Sequence, residues 1–452
     1  MRFLFTNYEG GGHVPPAILM ARLLKDRGHD VLFVSDEANR RQAEAADLEF
    51  KAWRTAPNRS KGGQPDDPLD DWRHSWPPAA IRAVARAVMT GPADRYAADT
   101  TELVRAFRPH LVVSNELLLG ALAACEALGQ PCAILSGNLW CFPNRLDLPP
   151  FGPGWPPART AFERRREASA RTLIGRWYDA AGLEPLNVAR RGLGLVPVAR
   201  LTAQLSRATP IVIASSALFD YEARPPEPFV YAGPLIDRAE VPTPSDLLDP
   251  HRRNVLLSFS TTYQNQSRLY ARCIRALAPL EINLIVTTGP AARPQDLPQR
   301  ANVKTVEWTP HDGIVPFCDL VVCHGGHGTL MRPLLAGVPV LCLPMGRDHP
   351  DNGRRLVEHG AGLTASRRSP GLLLRASARR LLEEPLFRQG AAVLGRKMSE
   401  AAVQERRRAI RALEGAAQRS RIDCVARPSP TVKEAERHPG GPNAPRALRE
   451  NP

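Results

Sequence analysis

Residues 318–352 read CDLVVCHGGHGTLMRPLLAGVPVLCLPMGRDHPDN, and the fold follows from how that stretch divides. Residues 320–323 are a short apolar run centred on two valines, the mark of a parallel strand buried on both faces. His324-Gly325-Gly326-His327-Gly328-Thr329 follows at once. Residues 330–336 then space their apolar side chains along one helix face until Gly337 and Pro339 stop it. A helix therefore starts at the glycines. There the backbone can turn sharply and approach a ligand closely, and the free N–H groups at the positive helix end favour a phosphate. Residues 338–343 form a second buried strand. Arg347, Asp348, His349, Asp351 and Asn352 cluster at its carboxyl end, where ligands bind in open α/β sheets.

Outward from this stretch the same alternation recurs. Residues 3–6 read as a first strand, residues 9–16 (EGGGHVPP) as a loop, residues 18–27 as a helix closed by Gly28, and residues 30–35 as the next strand. The glycine triplet at 10–12 lacks G-x-G-x-x-G spacing, so a nicotinamide cofactor is not indicated. Residues 54–78, rich in Pro, Asp, Arg and Trp, read as a long irregular loop of the kind that often binds ligands. Residues 81–107 read as helix, 111–114 as a strand running into Asn115-Glu116, 117–128 as an apolar helix and 132–135 as another strand. The prolines of 142–157 (FPNRLDLPPFGPGWPP) exclude regular structure, leaving two readings open: Phe142, Phe151 and Trp155 face an apolar ligand, or the loop tucks onto the domain surface.

Residues 211–215 are one more strand, and the proline-rich residues 221–237 read as a passage between domains. The pattern then restarts: a strand at 254–259 ending in Ser260-Thr261-Thr262, a helix at 267–277, strands at 283–287 and 303–307, and the opening stretch. This spacing predicts two Rossmann-like doubly wound α/β domains facing across a cleft. The first spans residues 1–220, a linker 221–250, the second 251–419 with arginine-rich carboxyl-terminal helices, the last expected to cross back onto the first domain. Residues 420–452, with repeated Pro, Gly and charge, are expected to be disordered.

A chain of 452 residues carries more than one ordinary core. The formal charge of +14 raises the question of nucleic acid, but the arginines are scattered and no nucleic-acid module is present, so a solvated basic surface is the reading. Eight cysteines without C-x-x-C pairs read as small core residues in a reducing cytoplasm. The amino-terminal apolar run is too short for a signal peptide, and no later stretch reaches membrane-spanning length, so no membrane insertion is expected.

The order strand, H-G-G-x-G-T, A-G-V-P, P-x-x-x-D and a final Asn, joined to an amino-terminal G-G-H-x-x-P, resembles the two-Rossmann (GT-B) family 1 glycosyltransferases of the UGT type, in their bacterial natural-product branch. The resemblance covers roughly residues 1–410. It implies an acceptor-binding first domain, a nucleotide-sugar-binding second domain and inverting transfer from a UDP- or dTDP-sugar to a hydroxyl of a small hydrophobic acceptor. No metal and no cofactor are implied, and the chain is expected as a monomer or homodimer.

Carried over residue by residue, the resemblance puts His324 on the donor diphosphate, with Gly325, Gly326, Gly328 and Thr329 holding phosphate oxygens. Ser260 and Thr261 reach the diphosphate from the other side. Trp308 stacks on the base, with His311 where Gln is usual. Asp348 binds sugar hydroxyls, His349 replaces the common Gln beside it, and Asn352 is structural or phosphate-side. Arg332 stands where plant members have a ribose-binding Glu, which leaves the nucleotide open. His327 either contacts phosphate or packs under the loop. Gly12, Phe142 and Trp155 fall on the acceptor side. His13 is the expected base, because imidazole takes up a proton near neutral pH; the bland alternative is a loop histidine capping the next helix. The Asp that usually orients this base is replaced by Asn115, so Glu116 serves or activation is weaker. A nucleotide-sugar epimerase and a non-catalytic nucleotide-sugar-binding protein are the rival readings.

Overall fold

The computed structural model describes residues 1–60, 69, 71–74, 76–221, 224–237, 241–260 and 263–426. Two all-parallel sheets dominate. The first contains β1 (Arg2–Thr6), β2 (Asp30–Ser35), β3 (Glu49–Ala52), β4 (Leu111–Ser114), β5 (Cys132–Ser136), β6 (Ile211–Ile213) and β7 (Phe229–Tyr231), in the order β3-β2-β1-β4-β5-β6-β7. The second contains β8 (Arg253–Ser258), β9 (Ile282–Thr287), β10 (Val303–Val306), β11 (Leu320–Cys323), β12 (Val340–Cys342) and β13 (Gly362–Thr364), in the order β10-β9-β8-β11-β12-β13. Helices cover both faces, so the central strands are continuous apolar runs: Phe3, Leu4 and Phe5, or Leu320, Val321 and Val322, are essentially inaccessible. Each such side chain contributes roughly 2–3 kcal/mol of burial.

Strand order reverses between β1 and β4 in the first sheet and between β8 and β11 in the second. Such switch points open a crevice at the strand carboxyl ends. Register aligns Thr6 with Ser114 and Ser258 with Cys323, so the segments that leave each sheet side by side are those carrying His13 with Asn115-Glu116, and Ser260 with His324.

Parts of the first domain differ from the sequence expectation. Phe229–Tyr231, inside the expected linker, is the seventh strand of the first sheet, paired with β6, so that domain extends past residue 220. Three residues between prolines are too few to show periodicity. The expected helix at 81–107 is interrupted: Pro77–Val84 and a π turn at Ala85–Met89 end before Gly91-Pro92, and Ala93–Phe107 follows. The 32-residue helix Ala161–Gly192, held by a capping box between Thr160 and Glu163, was not anticipated.

The last helix, Pro385–Ala426, crosses back as expected and continues helical through residues 420–426, where disorder was expected. Ala409, Ile410 and Leu413 pack in one cluster with Phe3 and Phe5 of the first sheet. Glu405 accepts from the Ala217 N–H at 2.9 Å, and Arg27 donates to Glu414 at 2.8 Å. Residues 427–452 lie outside the described residues, as does Thr261. Among the described residues seven cysteines are free, all buried except the half-buried Cys141, and no helix is long and apolar enough to cross a membrane.

Candidate active site

His324 leaves β11 and Gly326 caps the helix His327–Leu335, as the glycine pattern required. Gly325 has φ +90, and a Cβ there would stand 2.5 Å from Cys342 Sγ; a Cβ at Gly326 would stand 2.4 Å from His324 Nε2. Gly325 therefore excludes a side chain, and one at Gly326 would have to displace the His324 ring. Gly328 and Thr329, half-buried, form the first helical turn. Burial lowers the His324 imidazole well below its ordinary value, so the ring is neutral, and its buried Nδ1 has no partner among the described residues. A polar atom so placed is available to a ligand. His327 turns the other way: its Nε2 lies 2.9 Å from Ser215 Oγ and its ring packs edge-on against Phe219, which makes it a contact between the domains.

The loop after β12 completes this side. Asn352 Nδ2 donates to Asp348 Oδ2 at 2.7 Å and to the Gly325 carbonyl at 2.9 Å, tying the carboxylate to the glycine loop. His349 meets His324 edge to face with centroids 4.7 Å apart, and burial lowers it to about 3. Ser260 lies at the mouth of β8, its carbonyl accepting from Gln266 Nε2 at 2.8 Å. Trp308 is 74% exposed and presents an open aromatic face rather than packing in the core. His311 lies 3.2 Å from Thr287 Oγ1 and is lowered to about 4 by burial. Arg332 pairs with Asp312 at 3.2 Å and also donates to the Gly328 carbonyl.

From the other domain, His13 closes the turn Gly11–His13 after β1, its side chain 18% exposed. Gly12 is exposed beside it with open space around it. Two residues at the end of β4 face the ring. Glu116 Oε1 is 3.5 Å and Asn115 Nδ2 3.4 Å from His13 Nδ1. Asn115 Oδ1 accepts from the Leu117 N–H at 2.9 Å, so its NH2 group is what points at the ring. An NH2 only donates and favours the tautomer with the proton on Nε2, whereas a carboxylate favours Nδ1–H and leaves Nε2 free to accept. Glu116 is inaccessible to solvent and takes a hydrogen bond from Ser136 Oγ at 3.0 Å. Burial raises its carboxyl, the neighbouring His13 draws it down, and the Asp348 charge across the cleft adds a smaller push upward.

Phe142 is buried between Trp140 and Tyr178, yet it lines the same narrow cleft as Pro149, Phe151, Asp348 and Asp351. Trp155 is not brought to this cleft; the Arg166 guanidinium covers its ring at 4.0 Å. Three further contacts cross the cleft. Arg347, in a left-handed conformation at φ +53, donates to both oxygens of Asp71 at 2.6 and 2.8 Å. Asp351 accepts from the Gly152 N–H at 2.6 Å and the Gly154 N–H at 2.9 Å. Arg355 donates to Asp220 at 2.7 Å. Burial would raise all three carboxyls. The guanidinium partners outweigh it at Asp71 and Asp220, which are lowered, whereas Asp351 stays raised at about 6.

The sequence reading did not assign Asp71, Ser136 or Gly137. A Cβ on Gly137 would stand 2.8 Å from His13 Cα, so this glycine lets the base loop seat against β5. The signal was available in the small polar residues directly after a strand.

Two doubly wound sheets whose switch points face each other, with a histidine on one side and a glycine-rich helix start on the other, are the GT-B arrangement of solved glycosyltransferase structures. Residues 271–413, about a third of the chain, match the family described as erythromycin biosynthesis protein CIII-like, C-terminal domain. Among its relatives, 4'-demethylrebeccamycin synthase of Lentzea aerocolonigenes is 27% identical over 407 residues, covering 87% of this chain and 94% of that protein. The kitacinnamycin glycotransferase structure superposes with a TM-score of 0.69 at 18% identity, covering 93% of this chain and 97% of the other. The glycosyltransferase VinC, solved in complex with dTDP, superposes with a TM-score of 0.64 at 20% identity, covering 93% and 100%.

Proposed function

We propose that the enzyme transfers a sugar from a UDP- or dTDP-activated donor to a hydroxyl of a small hydrophobic acceptor, with inversion, with His13 as base and with no metal. The observation that carries this reading is the pairing across the cleft: the His13 ring backed by Glu116 at 3.5 Å, opposite a glycine loop tied to Asp348 through Asn352. His13 Nε2 takes the acceptor proton as the acceptor oxygen bonds to the anomeric carbon, and the bond from that carbon to the diphosphate breaks. The electron pair leaves with the diphosphate, stabilised by the helix N–H groups after Gly326, by His324 as a neutral donor and by Thr329. Asp348 holds sugar hydroxyls, and Ser260 completes the phosphate side.

Trp308 supplies the stacking face for the base, and its exposure suits that role. VinC was solved with dTDP, which supports a thymidine or uridine diphosphate here. The acceptor lies against the cleft wall formed by Phe142 and Phe151, with Gly12 beside the base. A thermal-shift screen of UDP and dTDP sugars tests the donor assignment. A specific rise in melting temperature with one of the two series is expected, and no response to either would remove it.

A further inference from the structure

Arg347, Asp351 and Arg355 are four residues apart, and Asp348 and Asn352 form a second set one position along. Asp351, Asn352 and Arg355 lie on the helix His349–Glu358, with Asp348 at its N-cap and the left-handed Arg347 just before it, and together they present two adjacent sides. One face holds the glycine loop through Asn352; the other reaches the amino-terminal domain at Asp71, at Gly152 with Gly154, and at Asp220. The middle contact differs from its neighbours because a carboxylate here grips backbone.

Gly152 has φ +106 and Gly154 φ +65, and Pro153 between them has no N–H, so the two glycine N–H groups converge on one carboxylate. A Cβ on Gly154 would stand 2.8 Å from the Pro350 carbonyl oxygen, so the loop fits this helix turn only without a side chain there. Phe151, one residue earlier, lines the cleft with Phe142 and Asp348.

We propose that Asp351 is a positioning residue for the acceptor: by holding the Gly152 and Gly154 N–H groups, it fixes the Phe151 wall against the helix that carries Asp348. Both its oxygens are engaged by the loop, so it acts through residues 151–154 rather than on the reacting atoms. The inference rests on the glycosyl-transfer reading of the same cleft. It implies that the acceptor wall is complete only when the two domains are closed on each other.

The test compares wild type, Asp351→Ala and Asp351→Glu. Calorimetric titration with dTDP and UDP measures the donor side, amide exchange over residues 145–160 measures the loop, and steady-state rates with 4-methylumbelliferone measure the acceptor side. For Asp351→Ala the expected result is nucleotide affinity within twofold of wild type, exchange of the loop amides at least tenfold faster, and acceptor KM raised about tenfold with kcat within threefold. Asp351→Glu should recover part of the protection and of the KM. Unchanged exchange in Asp351→Ala overturns the proposal, as does a tenfold loss of nucleotide affinity, which would place Asp351 on the donor. A wild type that binds neither nucleotide would instead sink the donor reading, and the exchange measurement still decides whether Asp351 holds residues 151–154.

Discussion

Replacing Glu116 by Gln removes one charge and almost no volume. Glu116 Oε1 lies 3.5 Å from His13 Nδ1, and the carboxylate is shielded from solvent. At that separation, with an effective dielectric of about 20, the attraction between carboxylate and full imidazolium is roughly 5 kcal/mol. With about half a proton charge on the ring at the transition state, the loss is roughly 2.4 kcal/mol, or on the order of 50-fold in kcat. Gln retains an oxygen for Ser136, and an amide suits a site where burial disfavours charge, so the melting temperature should not fall. Nucleotide release at saturating acceptor gives kcat, and dTDP or UDP titration checks that the donor side is unchanged. Asn115→Asp in the Glu116→Gln background brings a carboxylate to the position now 3.4 Å from Nδ1 and should recover most of the rate. A Glu116→Gln enzyme within threefold of wild type would show that Glu116 does not support the base.

Trp308→Ala should weaken nucleotide binding by about 1–3 kcal/mol, the range for base–aromatic stacking, without changing the unfolding midpoint, because the ring is 74% exposed; titration and urea unfolding check the two halves. Gly325→Ala forces a side chain into a φ +90 position 2.5 Å from Cys342 Sγ and should destabilise by about 3 kcal/mol, read as a lower urea midpoint. Acid should unfold the protein from near pH 6.5 downward. Burial lowers His311 and His327 to about 4 and His349 to about 3, so the unfolded chain protonates first, and each of the first two gives up about 3 kcal/mol by pH 4. Melting temperatures between pH 7.5 and 4.5 should fall progressively, and less steeply in His327→Gln.

Most of the fold was legible because strands buried on both faces are short continuous apolar runs, as at 3–5 and 320–323. Glu116, His324 and Asp348 were legible as polar candidates near strand ends from the same pattern, whereas their roles, and His13 as base, came from the family resemblance. β7 was missed because three residues carry no period. The helix Ala161–Gly192 was missed because its buried positions are sparse among arginines and Pro185 interrupts the pattern. The partners of Asp351 and Arg347 lie 199 and 276 residues away, and no local rule joins them. Trp155 shows the limit of reading aromatic loops: a ring in a proline-rich segment is equally suited to a cation such as Arg166.

The central claim is that His13 deprotonates an acceptor opposite a nucleotide-sugar held by the glycine loop. Nucleotide release from the donor selected by thermal shift, measured with and without acceptor in wild type and His13→Ala, tests it most directly. Acceptor-dependent release should occur in the wild type and fall at least a thousandfold in His13→Ala, with donor affinity within twofold. Turnover retained in His13→Ala, or nucleotide release that ignores the acceptor in the wild type, would contradict it.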